Sequence, residues 1–291
     1  IRSSYCGTED KASVIVDNDQ PTTADAGDDE TICSDSYTLK ANDPVNGTGQ
    51  WSSAGNVAFS NSTAYNSEVT LEPGDNELTW TISQGICSPS EDKVVITNAV
   101  PTTATTGADR TVCSSVTTLQ GNTPVVGTGT WTSTDATIDN PSDPTSSVTL
   151  KPGYNDLTWT ISSPSCTSSS ESVTIYNKEP STPNAGQDTT ICASSIQLYA
   201  NTPNIGTGNW SIKDAGASTT FDDAGSPTAT VTSLKEGINK FKWTISNSCG
   251  SPSDIVSVTY KPTVPNAGAD QSVCGTTTTL EADVPDIGSG E

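Results

Sequence analysis

The cysteines of this chain recur with a regular spacing, and that spacing restricts the fold more than any other feature of the sequence. Long gaps of 54, 53 and 57 residues alternate with short gaps of 25 to 27 residues. One long and one short gap give a period of about 80 residues, which is typical of a tandem array of small domains. The eight cysteines are Cys6, Cys33, Cys87, Cys113, Cys166, Cys192, Cys249 and Cys274.

A short motif marks the start of each repeat. Gly-x-Asp occurs four times, each time four residues before a cysteine, and proline precedes every copy. Proline favours extended chain, so these segments are predicted to be short, stiff linkers. We call the cysteine after the motif the first cysteine of a repeat and the other one the second cysteine. The predicted units are the end of one repeat at 1–20, module 1 at 21–99, module 2 at 100–179, module 3 at 180–262, and the start of a further repeat at 263–291.

The pattern inside each repeat predicts an all-β fold. In module 1, Leu78, Trp80 and Ile82 alternate with threonines, as in a strand with one buried face. About seven such short strands per repeat, with turn signals between them, predict tandem immunoglobulin-like (PKD-like) β-sandwich domains of antiparallel strands. Each module carries two tryptophans in phase with the apolar positions, so both are predicted to lie in the core. The glycines of Gly-Thr-Gly, before the first tryptophan, permit a bend or a close backbone approach.

Composition restricts the partners of the chain. The formal net charge is −22 and the pI is about 4.1, so the surface repels phosphate backbones and nucleic acid is not an expected partner. No stretch approaches the roughly 20 apolar residues that a membrane helix requires. Histidine is absent, which excludes Ser–His and Cys–His nucleophile systems within this sequence. The chain is therefore not expected to be an enzyme.

Regularly spaced cysteines without histidine favour disulfides in an oxidising compartment. The preferred pairing is within each module, because a bridge closing about 54 residues would contribute roughly 4 kcal/mol to a small domain. That pairing joins Cys33 to Cys87, Cys113 to Cys166 and Cys192 to Cys249, with partners for Cys6 and Cys274 outside this sequence. Its weakness is geometric, since the first strand runs away from the loop that holds the second cysteine.

Two other pairings stay open. Bonds across the short gaps would use every cysteine and join neighbouring modules. A third pattern joins the first cysteine of one module to the second cysteine of the next. The short-gap bonds are Cys6–Cys33, Cys87–Cys113, Cys166–Cys192 and Cys249–Cys274, and the third pattern gives Cys33–Cys166 and Cys113–Cys249.

Recurring carboxylates are the only candidate metal ligands. One acid ends each Gly-x-Asp motif, and a second acid precedes the last strand of each repeat. Carboxylates at domain junctions can bind calcium, although turn aspartates that hydrogen-bond their own backbone give the same pattern. No other cofactor is expected. The first set is Asp29, Asp109, Asp188 and Asp270, and the second is Asp10, Asp92, Glu171 and Asp254.

The ordered motifs resemble a known repeat class. They read Ala-Gly-x-Asp, Thr-Val/Ile-Cys, Thr-Leu, Gly-Thr-Gly-x-Trp, Leu-Thr-Trp-Thr-Ile-Ser, Cys and Ser-x-Val, and they extend over the whole chain. This set resembles the cysteine-containing, PKD-like and immunoglobulin-like repeats of large Bacteroidota surface proteins, including gliding-motility adhesins exported by type IX secretion. The resemblance implies an extracellular stalk at the cell surface. It also implies an O-glycosylation motif at Asp188-Thr189-Thr190.

Three functions follow as hypotheses. The first is a structural stalk or fibre segment that spaces a distal domain from the cell, with neighbouring repeats, surface glycans or other copies as partners. The second is a glycan-binding or protein-binding module, with the irregular stretch 213–230 as the candidate surface. The third is a set of spacer repeats in a secreted hydrolase.

Overall fold

The computed structural model describes residues 13–16, 18–263 and 266–282, and every regular element in this part of the chain is a β-strand. Each of the three modules contributes seven strands, as the sequence predicts. The strands of module 1 are β1 Glu30–Ile32, β2 Ser36–Thr38, β3 Thr48–Ser53, β4 Ala58–Phe59, β5 Glu68–Thr70, β6 Gly74–Ser83 and β7 Ser90–Asn98.

Modules 2 and 3 repeat this order. Module 2 comprises β8 Arg110–Val112, β9 Val116–Thr118, β10 Thr128–Ser133, β11 Thr137–Ile138, β12 Ser147–Thr149, β13 Gly153–Ser163 and β14 Cys166–Asn177. Module 3 comprises β15 Thr189–Ile191, β16 Ile196–Gln197, β17 Thr207–Asp214, β18 Thr220–Phe221, β19 Thr230–Thr232, β20 Gly237–Ser246 and β21 Ser253–Tyr260. The last two strands are the longest in modules 1 and 2, whereas in module 3 strands β17 and β21 both have eight residues.

Each module has two sheets, one of four strands and one of three. In module 1 the strand orders are β1-β7-β6-β3 and β2-β5-β4, and modules 2 and 3 have the same arrangement. This is the all-β, immunoglobulin-like sandwich that the sequence predicts. One pairing differs from the antiparallel expectation, because β1 runs parallel to β7, with Glu30 opposite Ile96. The first strand lies at the edge of the larger sheet, so its direction is not set by a hairpin.

The two tryptophans of each module form the centre of its core, which confirms their prediction. Trp51 on β3 lies directly opposite Trp80 on β6, and their ring centroids are 5.0 Å apart. Both are at most 2% exposed. The same cross-strand pair occurs as Trp131 with Trp159 and as Trp210 with Trp243. These aromatic pairs offset the low apolar content of the chain, since one buried tryptophan supplies far more apolar area than an aliphatic side chain.

A buried asparagine closes the turn before each long central strand. Asn76 accepts a hydrogen bond from the Glu72 backbone N–H through Oδ1, and its Nδ2 donates to the Glu72, Gly74 and Ile96 carbonyls at 2.8 to 3.2 Å. Such buried polar groups require partners, and here the amide satisfies backbone atoms of two strands. Asn155 and Asn239 make the same contacts in the other modules.

Candidate functional site at the module junctions

The first cysteine of each module lies at the end where the chain leaves that module. Strand β1 ends with Ile32 opposite Asn98, the last residue of β7. The Ala99 N–H then donates to the Ile32 carbonyl at 2.9 Å, so the outgoing chain stays beside the end of β1. Lys178 and Lys261 make the same backbone bond in modules 2 and 3. The parallel first strand therefore brings Cys33 next to the linker to module 2.

The second cysteine of each module lies at the opposite end. In module 2, Cys166 is the first residue of β14 and pairs with Ser163 across a tight hairpin. In module 3, Cys249 lies in the turn between β20 and β21, next to an Asn247–Gly250 bridge. Each hairpin extends toward the preceding module, since the last two strands of a module meet at its incoming end. First and second cysteines of successive modules thus come together.

Two disulfides join these ends across the junctions. Cys33 bonds to Cys166 with a Cα–Cα distance of 5.5 Å, and Cys113 bonds to Cys249 with a Cα–Cα distance of 5.2 Å. Both distances lie in the usual range for disulfides. The bridges span 133 and 136 residues of sequence. Of the three pairings considered from the sequence, the structure has the third.

The preferred within-module pairs, Cys33–Cys87, Cys113–Cys166 and Cys192–Cys249, are therefore wrong. Cys33 follows β1, level with the end of β7, whereas Cys87 lies before the start of β7. The nine residues of β7 separate these ends by roughly 30 Å, against a Cα–Cα reach of about 7 Å for a disulfide. The short-gap alternatives Cys87–Cys113 and Cys166–Cys192 are also not formed.

The remaining cysteines have different surroundings. Cys87 is half-buried and carries no bridge in the structure, and Cys274 is exposed and likewise carries none. Cys6 lies outside the described residues. The expectation that Cys6 and Cys274 have partners beyond this sequence stays a prediction.

A hydroxyl group at the beginning of each module holds the incoming linker against that module. Thr102 Oγ1 accepts hydrogen bonds from the Val125 and Val126 N–H groups, at 2.9 and 3.0 Å, and the Thr102 N–H donates to the Val126 carbonyl. Thr22 and Ser181 make the equivalent contacts in modules 1 and 3. These bonds fix the incoming chain against the loop between the second and third strands, which supports the prediction of stiff linkers.

Further contacts cross the junctions. Asn247 Nδ2, in the hairpin of module 3, donates to the Lys178 carbonyl in the linker at 2.8 Å. Between modules 1 and 2 lies a cleft of about 610 Å³, lined by Cys33, Pro73, the linker and Val125 of module 2. Cys33 of the first disulfide thus borders this cleft between the modules.

The recurring carboxylates bind backbone N–H groups, and the two sets act reciprocally. Asp29 accepts from the Val95 N–H in β7 at 2.8 Å, while Asp92 in β7 accepts from the Ala26 N–H at 2.7 Å. Each pair therefore fastens the Gly-x-Asp segment to the last strand of the same module. In module 2, Thr106 stands where the other modules have alanine, and both its N–H and its hydroxyl donate to Glu171.

The calcium hypothesis gains no ligand group from these contacts. Asp109 and Asp188 accept from the Thr174 and Ser257 N–H groups, each at 2.8 Å. Within the residues that the structure describes, no three acids or cysteines lie close enough together to hold a metal ion. Asp270 is exposed, and Asp10 lies outside the described residues. The alternative given with the hypothesis also differs from the structure, because these acids bind the backbone of a strand 65 to 69 residues away and not that of their own turn.

Replacing Asp29 distinguishes the two roles. Asp29→Ala removes the acceptor for Val95, so we expect a loss of about 1 kcal/mol in the free energy of unfolding. Asp29→Asn keeps an acceptor oxygen and should retain most of that stability. Thermal melting with EDTA and with millimolar calcium provides the measurement. A calcium-dependent rise in Tm that Asp29→Asn abolishes would establish a calcium site instead.

Surface charges near the junctions form isolated pairs. Lys40 donates to Glu30, and this hydrogen bond holds the pKa of the Glu30 carboxyl below its usual value. Burial lowers the pKa of Arg110, whose guanidinium donates to the Thr118 carbonyl at 2.7 Å. Exposed ion pairs such as Lys40–Glu30 contribute little to stability. The ion pairs in the described part of the chain engage few of its acids.

The irregular stretch 213–230 is anchored in the core of module 3. It contains β18, and Phe221 of that strand packs against Trp210 and Phe241 in the core. Ala229 is also buried. The stretch 213–230 is thus not simply a free loop.

The residues of the glycosylation motif, Thr189 and Thr190, are exposed on β15.

No protein-family profile matches the sequence, and neither does any curated protein. Solved structures do match the fold. The I67–I69 fragment of titin is 11% identical, covering 83% of this chain and 98% of its own, with a TM-score of 0.44. A chain in the complex of Dpr2 Ig1–Ig2 with DIP-Theta Ig1–Ig3 is 11% identical. The match covers 82% of this chain and 100% of that one, with a TM-score of 0.45. The insect immune protein hemolin is 10% identical. The match covers 83% of this chain and 76% of hemolin, with a TM-score of 0.40.

No helix in the described residues is long and apolar enough to cross a membrane. The strand order and the sheet registers define three immunoglobulin-like sandwiches in tandem. Disulfides join each of them to the next. The chain is a covalently crosslinked array of immunoglobulin-like domains.

Proposed function

We propose that this chain is an extracellular structural segment, a stalk that spaces another part of its protein from the cell surface. The observation that carries the proposal is the pair of disulfides between modules, which restrict the movement of each module relative to the next. The linkers are hydrogen-bonded to the modules, and disulfides join the modules to each other. Such a chain is suited to keeping the domains at its two ends a fixed distance apart. No catalytic role is proposed.

The location rests on the same bridges. Structural disulfides persist in oxidising environments and are rare in the cytosol. A net charge of −22 favours solubility of the exposed surface. Together with the motif resemblance, these features support a surface adhesin of the Bacteroidota repeat class, with gliding motility and type IX secretion as the corresponding setting. Surface glycans and other copies of the chain are the proposed partners of the complete protein.

The location can be tested on intact cells that produce the protein. Antibodies against the modules should label unbroken cells. Mass spectrometry of peptides prepared without reductant should recover Cys33 joined to Cys166 and Cys113 joined to Cys249. Labelling only after lysis, together with fully alkylatable cysteines, would overturn the proposal.

The spacer role needs a separate measurement. Deleting 100–179 from the full-length protein removes one repeat and leaves Cys33 in position to meet Cys249. Surface display should persist, and a tag beyond the array should lie closer to the cell by the length of one module in electron micrographs. An unchanged distance would exclude the spacer role.

A further inference from the structure

The two disulfides interleave along the sequence. Cys113 lies inside the loop that the Cys33–Cys166 bridge closes, and Cys166 lies inside the loop that Cys113–Cys249 closes. Two bridges within separate modules would not have this property, because their loops would follow one another. Interleaving changes the shortest covalent route through the chain.

That route bypasses most of modules 1 and 3. It follows the chain to Cys33, crosses to Cys166, returns through module 2 to Cys113, crosses to Cys249 and continues. The segments 34–112 and 167–248 lie outside it. Tension applied to the ends of the chain therefore has a path that does not require those segments to extend.

We infer that the interleaved disulfides form a covalent load path that limits the extension of the array when its modules unfold under tension. This deepens the proposed spacer function and rests on it for its biological setting. Unfolding of a sandwich normally releases its whole chain length. Here the bridges hold back the segments 34–112 and 167–248, so an unfolded array extends to less than half of the length of its released chain.

The expected lengths follow from the positions of the cysteines. At about 3.5 Å per residue, the oxidised chain pulled from residues 1 and 291 should reach a final length of about 440 Å after all modules unfold. The reduced chain should reach about 1,000 Å on the same scale. Force spectroscopy of the complete 291-residue chain between handles measures both values.

Removing one bridge at a time gives the most specific result. Cys33→Ser with Cys166→Ser should lengthen the unfolded chain by only about 100 Å, because the other bridge still bypasses 136 residues. Cys113→Ser with Cys249→Ser should give a similar gain of about 100 Å. All four substitutions together should add about 570 Å. Removing the second bridge should therefore lengthen the unfolded chain several times more than removing the first.

Other outcomes contradict the inference. If bonds formed within modules, the Cys33→Ser and Cys166→Ser variant would lose two bridges and gain about 370 Å. Equal oxidised and reduced lengths would mean that the bridges carry no load. Either result would leave the surface location untouched, whereas failure of the cell-labelling experiment would leave these lengths unchanged.

Discussion

Replacing Gly49 with alanine is expected to destabilise module 1 strongly. Gly49 is the second glycine of Gly-Thr-Gly, and it pairs with Ile82 in the sheet. A Cβ built there would lie 2.1 Å from Cη2 of Trp80, which is fully buried. Neither the paired backbone nor the enclosed indole can move aside without disrupting the core. Overpacking of this severity should reduce the free energy of unfolding by at least about 3 kcal/mol.

Gly55→Ala is the matched control in the same module. A Cβ at Gly55 has only the Ser53 hydroxyl within reach, at 3.9 Å, so its stability should change by less than about 0.5 kcal/mol. Urea unfolding monitored by tryptophan fluorescence measures both variants. Equal stability of the two would show that Trp80 does not lie over Gly49.

Removal of one disulfide should have the second large effect. When module 2 unfolds beside a folded module 1, the Cys33–Cys166 bridge closes a loop of unfolded chain that starts at the linker. On the chain-entropy model that closure contributes about 4 kcal/mol. The Cys33→Ser and Cys166→Ser variant should therefore lower the Tm of module 2 under non-reducing conditions. Reductant also opens Cys113–Cys249, so it should lower this Tm at least as far in the unaltered chain.

Cys87→Ser is the control that separates the pairings. Cys87 carries no bridge in the structure, so this variant should melt within about 0.5 kcal/mol of the unaltered chain. A loss at Cys87 equal to the loss at Cys33 would instead indicate a bond between these two residues. Calorimetry with and without reductant gives both values.

The sequence was sufficient for the fold because its information is local. Alternation around Trp80 and turn signals such as Pro73-Gly74 each depend on residues near one another, and the cysteine spacing repeats these local patterns in every module. They predicted seven strands per module, a buried tryptophan pair and the close approach at Gly-Thr-Gly. The structure confirms all three.

The disulfide pairing depends on non-local geometry. It is decided by the direction of β1 along the edge of the sheet, and the three residues of that strand carry no pattern that sets its partner. The geometric argument that the first and second cysteines of one module lie too far apart for a disulfide was correct. The expectation that each module is stabilised by its own bridge was wrong.

Other contacts left a signal that a closer comparison of the repeats would have found. Asn76, Asn155 and Asn239 occupy the same place, two residues after a turn glycine, in all three modules. Recurrence of a polar residue among buried apolar positions predicts a structural hydrogen bond. The carboxylate sets recur in the same way, and in modules 1 to 3 these acids accept hydrogen bonds from backbone N–H groups.

The interleaved bridges also determine how the molecule survives cleavage. Every peptide bond between Cys33 and Cys249 is spanned by at least one disulfide. A protease that cuts once anywhere in that stretch leaves a single covalent molecule. The bridged cysteines divide this stretch into three segments, 33–113, 113–166 and 166–249. One cut in each of two of these segments still leaves Cys33 connected to Cys249. Only a cut in each of the three segments separates them, so an array of this design remains connected despite damage that would sever an uncrosslinked chain.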